Sequence, residues 1–317
     1  MAIKIVTASA ARLGDTLFCT PAYRFIATFF KDCQLDVIAL TPLAASVLSN
    51  NLHIHQVLLR PEVSTLDALK GQYALGINLH DSKEAKRYFA DLAIPLLDIS
   101  HVPDNGPKAE RLLRALGGIL EKPYDAAGCG YEIVTTPADE AAVNRLLATH
   151  QVDPKEHTLI AVHIGCHGLA KSRFRLWQRT QHHKAWPLEK FIGLTKRLTA
   201  YNPSLRILIT GSAEEAHLAK PLTEACPVVI SLINQTSVSE LAALMKKLKG
   251  YISNDTGTLH VACSTKVPLV ALYPTKNIAN TGPYPPAAHR VLLHRDNLDA
   301  LSVDEVFETV VKTFLGN

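Results

Sequence analysis

Residues 251–275, Y-I-S-N-D-T-G-T-L-H-V-A-C-S-T-K-V-P-L-V-A-L-Y-P-T, constrain the fold more than any other stretch of the chain. Residues 251–253 form a short apolar run, 254–257 a polar turn, 258–264 the opening of a helix and 269–273 a second apolar run. Strand, turn, helix and strand in that order are the building block of doubly wound α/β proteins, which bind ligands at the carboxyl ends of their strands. Asp255, Thr256 and Gly257 occupy that turn, and His260 follows one helical step later. An ordinary helix cap accounts for the same pattern, because Asp is a favoured N-cap and Gly tolerates tight turns. The rest of the chain has to decide between a cap and a ligand site.

At 317 residues the chain suits two domains better than one core. Apolar runs at 3–8, 35–40, 57–59, 75–79 and 96–99 alternate with helical segments such as 65–69 and 108–116, which predicts a parallel sheet flanked by helices. The first helix carries Pro21, expected in its first turn because proline removes a backbone donor. Residues 131–134 read as a further strand and 138–149 as a helix; the polar, proline-interrupted segment 150–157 then reads as a linker. A boundary near 155 gives domains of 1–154 and 155–317. The second half repeats the alternation, with strands at 158–164, 206–210 and 228–230 and helices at 188–200, 214–225 and 238–248. After the 251–275 stretch come a loop and an amphipathic helix at 303–314. Two α/β halves joined once imply a cleft between them, a preferred place for a ligand.

A net charge of +4 is too small to argue for nucleic acid and suits an anionic substrate or an anionic membrane surface. Six cysteines without a C-x-x-C pair read as reduced thiols of a cytoplasmic protein. The amino terminus has no signal-peptide layout, and no apolar run reaches the roughly 20 residues that span a bilayer, so any membrane contact is expected to be peripheral.

Four groups of residues are candidates for chemistry. Gly14 and Asp15 follow the first strand, with Arg12 just before them; Asp15 is either a helix cap or a carboxylate able to take a proton. A dinucleotide fingerprint is missing there, which disfavours a Rossmann dehydrogenase. Residues 169–184 carry Lys171, Arg173, Arg175, Arg179 and Lys184 without an acid, interleaved with Phe174, Trp177 and, just beyond, Trp186. A solvated loop would look similar, but a basic loop at a strand end suits phosphate recognition. Glu214 and Glu215 follow another strand end, where an acid either starts a helix or meets a ribose, and Thr236 lies in the same layer. His163, Cys166 and His167 lack the second cluster that a tetrahedral zinc site needs, so no metal is expected.

The segments S-N-D-T-G-T-L-H-V-A, V-P-L-V-A-L-Y-P-T and T-G-P-Y, with A-R-L-G-D-T-L-F-C-T-P-A near the amino terminus, resemble glycosyltransferase family nine, the heptosyltransferases of lipopolysaccharide core assembly. K-A-W-P at 184–187 and Q-T-S-V-S-E-L-A-A-L-M at 235–245 match in the right order, so the resemblance runs over nearly the whole chain. It departs in the length of the basic loop and in Tyr273, which stands where the family has a glycine before Pro-Thr.

The resemblance implies an α/β GT-B fold: two Rossmann-like domains facing a cleft, acceptor on the N-terminal side, nucleotide-sugar on the C-terminal side, and the last helix returning to the first domain. It implies an inverting glycosyltransferase that moves heptose from ADP-heptose to a lipid-linked saccharide acceptor, the lipopolysaccharide core on lipid A. Asp15 becomes the general base, while Lys184, Asp255, Thr256, Gly257 and His260 hold the donor's diphosphate and sugar. Glu214, Glu215 and Thr236 lie near ribose and base. Arg12, Gly14, Lys171, Arg173, Arg175 and Arg179 are candidates for acceptor or phosphate contacts. The donor is a substrate, so no cofactor is implied, and cationic side chains stand in for a metal. Such an enzyme is expected in the cytoplasm, peripheral on the inner membrane, with no nucleic-acid partner. Transfer of another sugar, a protein acceptor, a GT-B nucleotide-sugar epimerase and a silent nucleotide-sugar-binding protein remain alternatives.

Overall fold

The computed structural model describes residues 2–103, 106–124, 130–166 and 184–316. The chain forms two compact units, residues 1–134 and 135–317.

The first unit alternates β1 (Lys4–Ala8), α1 (Leu13–Phe29), β2 (Gln34–Ala39), α2 (Pro42–Leu48), β3 (Gln56–Leu59), α3 (Val63–Leu69), β4 (Leu75–Asn78), α4 (Lys83–Leu92), β5 (Leu96–Asp98) and α5 (Lys108–Ile119). Its five strands are all parallel, in the order β3-β2-β1-β4-β5. The chain winds outward from β1 through β2 to β3, then restarts at β4 on the other side of β1. The carboxyl ends of β1 and β4 therefore flank the point where the winding reverses, the place where such sheets open a crevice. Thr7, Ser9 and Asn78 are buried there among apolar neighbours. Ser9 earns its burial through two bonds: its Oγ accepts from the Leu40 amide at 3.1 Å and donates to the Ala10 carbonyl at 2.9 Å.

Pro21 lies in the middle of α1, not in its first turn as the sequence reading expected. A proline there leaves the carbonyl four residues back without its helical donor. The Thr20 hydroxyl repairs the defect by donating to the Leu17 carbonyl at 2.8 Å, and the same oxygen accepts the Glu132 amide at 3.0 Å. That second bond explains why 131–134 is no strand. The segment is held by side chains of α1, with Tyr131 tilted against Phe18 at 5.6 Å and Glu132 paired to Arg24, and not by a ladder.

The second unit begins with α6 (Pro137–Thr149) and continues β6 (Thr158–His163), α7 (Leu188–Tyr201), β7 (Leu205–Ile209), α8 (Ala216–Ala225), β8 (Val229–Ser231), α9 (Val238–Met245), β9 (Gly250–Asn254), α10 (Gly257–Cys263), β10 (Leu269–Pro274), α11 (Ile278–Thr281), β11 (Arg290–Arg295) and α12 (Val303–Val310). Six parallel strands run in the order β11-β10-β9-β6-β7-β8. Winding reverses here between β6 and β9. The strand β11 lies within the stretch expected to be loop; its apolar centre is only three residues long and is bounded by Arg290 and His294.

One boundary differs from expectation. The division falls after Val134 and not near 155, because α6 packs on α9: Ser239 Oγ donates to Asp139 Oδ1 at 2.7 Å and Lys246 bonds the Thr135 hydroxyl. The apolar face of the last helix packs into the second unit's own core. Val306, Val310 and Phe314 are buried with Leu194, Leu198 and Ile252, and Phe307 lies edge-on to Tyr201 of α7 at 5.8 Å.

Gly250 starts β9 directly beneath the Phe314 ring, so close that any β-carbon would overlap it. Replacing Phe314 with Ala empties that space, and the expected cost is about 3–5 kcal/mol. Urea denaturation should show the loss.

Candidate active site

Each unit gathers its polar residues at its own winding reversal. In the first unit a cavity of about 330 Å³ lies at the strand ends, lined by Arg12, Asp15, Leu40, His80, Asp81 and Lys108 among others. The turn after β1 is built of Ala10 and Ala11, small enough to leave this space open. Asp15 stands in the first turn of α1, where a negative charge faces the helix's positive end. It is no cap: the N-cap is Arg12, with no side-chain bond, and Asp15 Oδ1 instead accepts Lys108 Nζ at 2.8 Å. Gly14 sits between them in the same turn and brings the helix start to the cavity wall.

His80 ends β4's exit and is 8% exposed. Its Nε2–H donates to the Ser9 carbonyl, and burial lowers its pKa despite that bond, so the ring stays neutral at physiological pH. Neither Lys108 nor His80 was singled out from the sequence. His80 carries a positional signal, two residues past a buried strand; Lys108 carries none.

In the second unit Lys184 Nζ meets Asp255 Oδ2 at 2.7 Å, and Asn277 Nδ2 donates to the same oxygen at 2.6 Å. Asp255 is 6% exposed and does not cap α10, whose N-cap is Thr256 without a side-chain bond. The cap reading of Asp255 thus gives way to a buried carboxylate organised by two donors. Beneath the turn runs a chain of hydroxyls. Tyr251 OH lies 3.1 Å from Thr210 Oγ1 and 3.0 Å from Thr258 Oγ1, which in turn lies 2.8 Å from Thr256 Oγ1. This chain fixes Thr256 and Gly257 against the sheet. His260 is buried one turn on. Tyr273, the departure from the family pattern, is fully buried, and its hydroxyl donates to the Thr281 carbonyl. Burial, then the Asp255 charge, hold that phenol far above its ordinary pKa.

Glu215 is also buried. Its Oε1 takes His163 Nε2 at 3.2 Å, and its Oε2 takes the Ser212 amide at 2.8 Å and hydroxyl at 3.2 Å. The carboxylate rests against bare backbone: a β-carbon on Gly211 would lie 2.9 Å from Oε2, and one on Gly165 would overlap Oε1. Burial raises the carboxyl's pKa, but the His163 charge and bond with the Ser212 donors override burial and hold it down at about 2. Glu214 is exposed and Thr236 half-buried just before α9. Lys171, Arg173, Arg175 and Arg179 lie outside the described residues, as do Phe174, Trp177 and His167. Trp186, grouped by sequence with the basic loop, belongs to the core: it is 1% exposed, its indole N–H donates to the Leu301 carbonyl at 2.9 Å, and it stacks edge-on with Phe191. Among the described residues no cluster of three or more metal-ligating side chains occurs.

Two parallel-sheet α/β units, each with polar groups at its winding reversal, define the GT-B class of glycosyltransferase folds. The comparison with solved structures gives the same class. The chain superposes on a glycosyl transferase family 9 structure from Veillonella parvula with a TM-score of 0.84 at 18% identity, covering 99% of this chain and 98% of that one. It superposes on the ADP-heptose lps heptosyltransferase II of E. coli with a TM-score of 0.79 at 18% identity, covering 99% of both. Residues 176–310 match the family model of glycosyltransferase family 9 (heptosyltransferase), so the resemblance read from the sequence holds over a segment that contains Lys184, Glu215 and Asp255. Lipopolysaccharide heptosyltransferase 2 of Salmonella typhimurium and of Escherichia coli are each 29% identical over 117 residues, 35% of this chain. That match spans about a third of those relatives' own length, 32%.

The Glu215 pair sets an acid limit on the second unit. Its folded-state pKa lies below the ordinary carboxylate value of 4.5, so its contribution is present above that value and is lost as pH falls toward 2. The shift corresponds to a stabilisation on the order of 3 kcal/mol. Glu215→Gln should be less stable at neutral pH and lose less stability than wild type between pH 5 and 2, read from urea midpoints across that range.

Proposed function

We propose that this chain is an inverting glycosyltransferase that moves heptose from ADP-heptose to a lipopolysaccharide core acceptor. The observation that carries the reading is the meeting of Lys184 and Asp255 at 2.7 Å. They are 71 positions apart, both fall in the segment matching the heptosyltransferase family, and they converge on the strand end where such folds hold phosphate. An ammonium organised by a buried carboxylate is a cation pre-placed to receive charge from a departing diphosphate. Support for the donor comes from the similar fold of the E. coli ADP-heptose lps heptosyltransferase II.

In this reading Asp15 accepts the proton of the acceptor hydroxyl as that oxygen attacks the anomeric carbon. Its position in the first turn of α1, at the wall of an open cavity, suits that role. Lys184 takes the developing charge on the diphosphate. Thr256 and Gly257, braced by the Tyr251 hydroxyl chain, present backbone donors to the phosphates, and Glu215, ionised and fixed, offers an acceptor for a ribose hydroxyl. No helix among the described residues is long and apolar enough to cross a membrane. In this reading a lipid-linked acceptor is met at the surface of the bilayer, on its cytoplasmic face.

Two substitutions separate the roles. Asp15→Asn should leave ADP-heptose affinity unchanged while turnover falls by ~10²-fold or more. Equal losses in both would make Asp15 a binding residue. Lys184→Ala should weaken ADP binding by about 2 kcal/mol, since it also removes the cation paired with buried Asp255; an unchanged calorimetric titration would remove Lys184 from the donor site.

A further inference from the structure

We propose that Lys108 is a latch on Asp15, released by an anionic group on the acceptor, so that the proton acceptor is unmasked only when an acceptor is present. The inference rests on the reading of Asp15 as the proton acceptor.

Lys108 is the first residue of the twelve-residue helix α5. A cation there faces the helix's positive end, which disfavours it. Its compensation is Asp15: Nζ lies 2.8 Å from Oδ1, and the ammonium sits over the Phe18 ring at 5.9 Å. The two side chains are 27% and 32% exposed, so the pair lies on the cavity wall within reach of a ligand. Such a half-exposed pair is worth little to stability and exchanges partners readily. While it stands, Oδ1 is occupied, and a water in the cavity competes with an ammonium for the carboxylate.

The charges around the cavity identify what opens the latch. Asp81 is engaged by Lys86 at 2.6 Å, Asp15 by Lys108, and buried His80 is neutral. Arg12 also lines the cavity and has no ion pair among the described residues. Among the described residues one positive charge is left over, so the cavity suits a ligand carrying a carboxylate or phosphate. An anion drawn to Arg12 offers Lys108 a second partner, and the flexible lysine stem can turn to it. Asp15 then takes the proton of the acceptor hydroxyl as the new C–O bond forms and the anomeric C–O bond to the diphosphate breaks, its electron pair leaving with ADP. With the latch closed, water has to compete with the ammonium on Oδ1 for the carboxylate, so hydrolysis of the donor is slowed.

The test reads ADP release from ADP-heptose without acceptor. Lys108→Met should release ADP at least roughly tenfold faster than wild type, and Lys108→Arg should bring the rate back down. Adding glucuronate should stimulate release by the wild type more than glucose does, and Lys108→Met should lose that preference. The latch is overturned if Lys108→Met releases ADP no faster while binding ADP-heptose equally in calorimetry, or if wild type treats the two sugars alike. The double variant Lys108→Met with Asp15→Asn should abolish the gain. A gain that survives it overturns Asp15 as proton acceptor, and the latch with it, whereas failure of the single variant alone leaves that reading standing.

Discussion

One buried amide holds the strand ends of the second unit together. Asn254, fully buried at the end of β9, donates from Nδ2 to the carbonyls of Ile164 and Gly165 at 3.2 Å each, and its Oδ1 accepts the Trp186 amide at 3.0 Å. Three separate segments are thereby locked: the exit from β6, the exit from β9 and the approach to α7. Each would otherwise carry unpaired backbone groups into the interior, which is costly. Lys184, two residues before the anchored Trp186, and Asp255, one residue after Asn254, inherit their positions from this lock. A hydrophobic residue at 254 would leave two carbonyls and an amide without partners, so the side chain's polarity is a structural requirement.

The same logic places Glu215. A carboxylate this deeply buried is tolerable only when paired and hydrogen-bonded. The chain supplies His163 from the end of β6 and Ser212 from the end of β7, and it keeps Gly165 and Gly211 bare so that the oxygens can approach the backbone. Asn254 bonds the Gly165 carbonyl, so the Glu215 cradle and the Asp255 turn share a wall. A change at either one should be felt at the other.

The alternation of apolar runs made the strands and their parallel arrangement legible, since ten of the eleven among the described residues follow from Val, Ile and Leu clusters bounded by turn residues. β11 escaped because only the four-residue α11 leads into it, so the strand–helix alternation that marks the other strands is missing there. Pro21 misled because the repair of its broken bond, by Thr20, is a tertiary device shared with Glu132. Asp15, Lys184, Asp255 and Glu215 were visible as polar residues next to strand ends. Their partners were not: Lys108 lies 93 positions from Asp15, and Asn277 lies 22 from Asp255 on the short turn before α11. Pairing is set by which strand ends the winding brings together, and a single sequence does not spell that out. Trp186 shows the converse error, a core residue assigned to a loop because its neighbours in sequence are charged.

Both candidate reactive groups come already paired, Asp15 with Lys108 and Lys184 with Asp255, and this shapes how a substrate can bind. An isolated charge at a half-buried site pays for its lost hydration with nothing in return. A pair avoids that cost, and a ligand of the right sign then exchanges one ion contact for another, so the net gain in binding is smaller than the contact itself suggests. The gain in discrimination is larger. A neutral molecule cannot compete for Lys108 or Lys184, whereas an anionic one can, and the carboxylate left behind is in each case at the strand end where the chemistry is assigned. The two pairs differ in one respect: the Asp255 oxygen keeps Asn277 when Lys184 turns to a phosphate, while the Asp15 oxygen bonded to Lys108 has no second donor among the described residues. Under the proposed function, Asp255 therefore stays fixed through an exchange of partners, and Asp15 becomes available to take a proton.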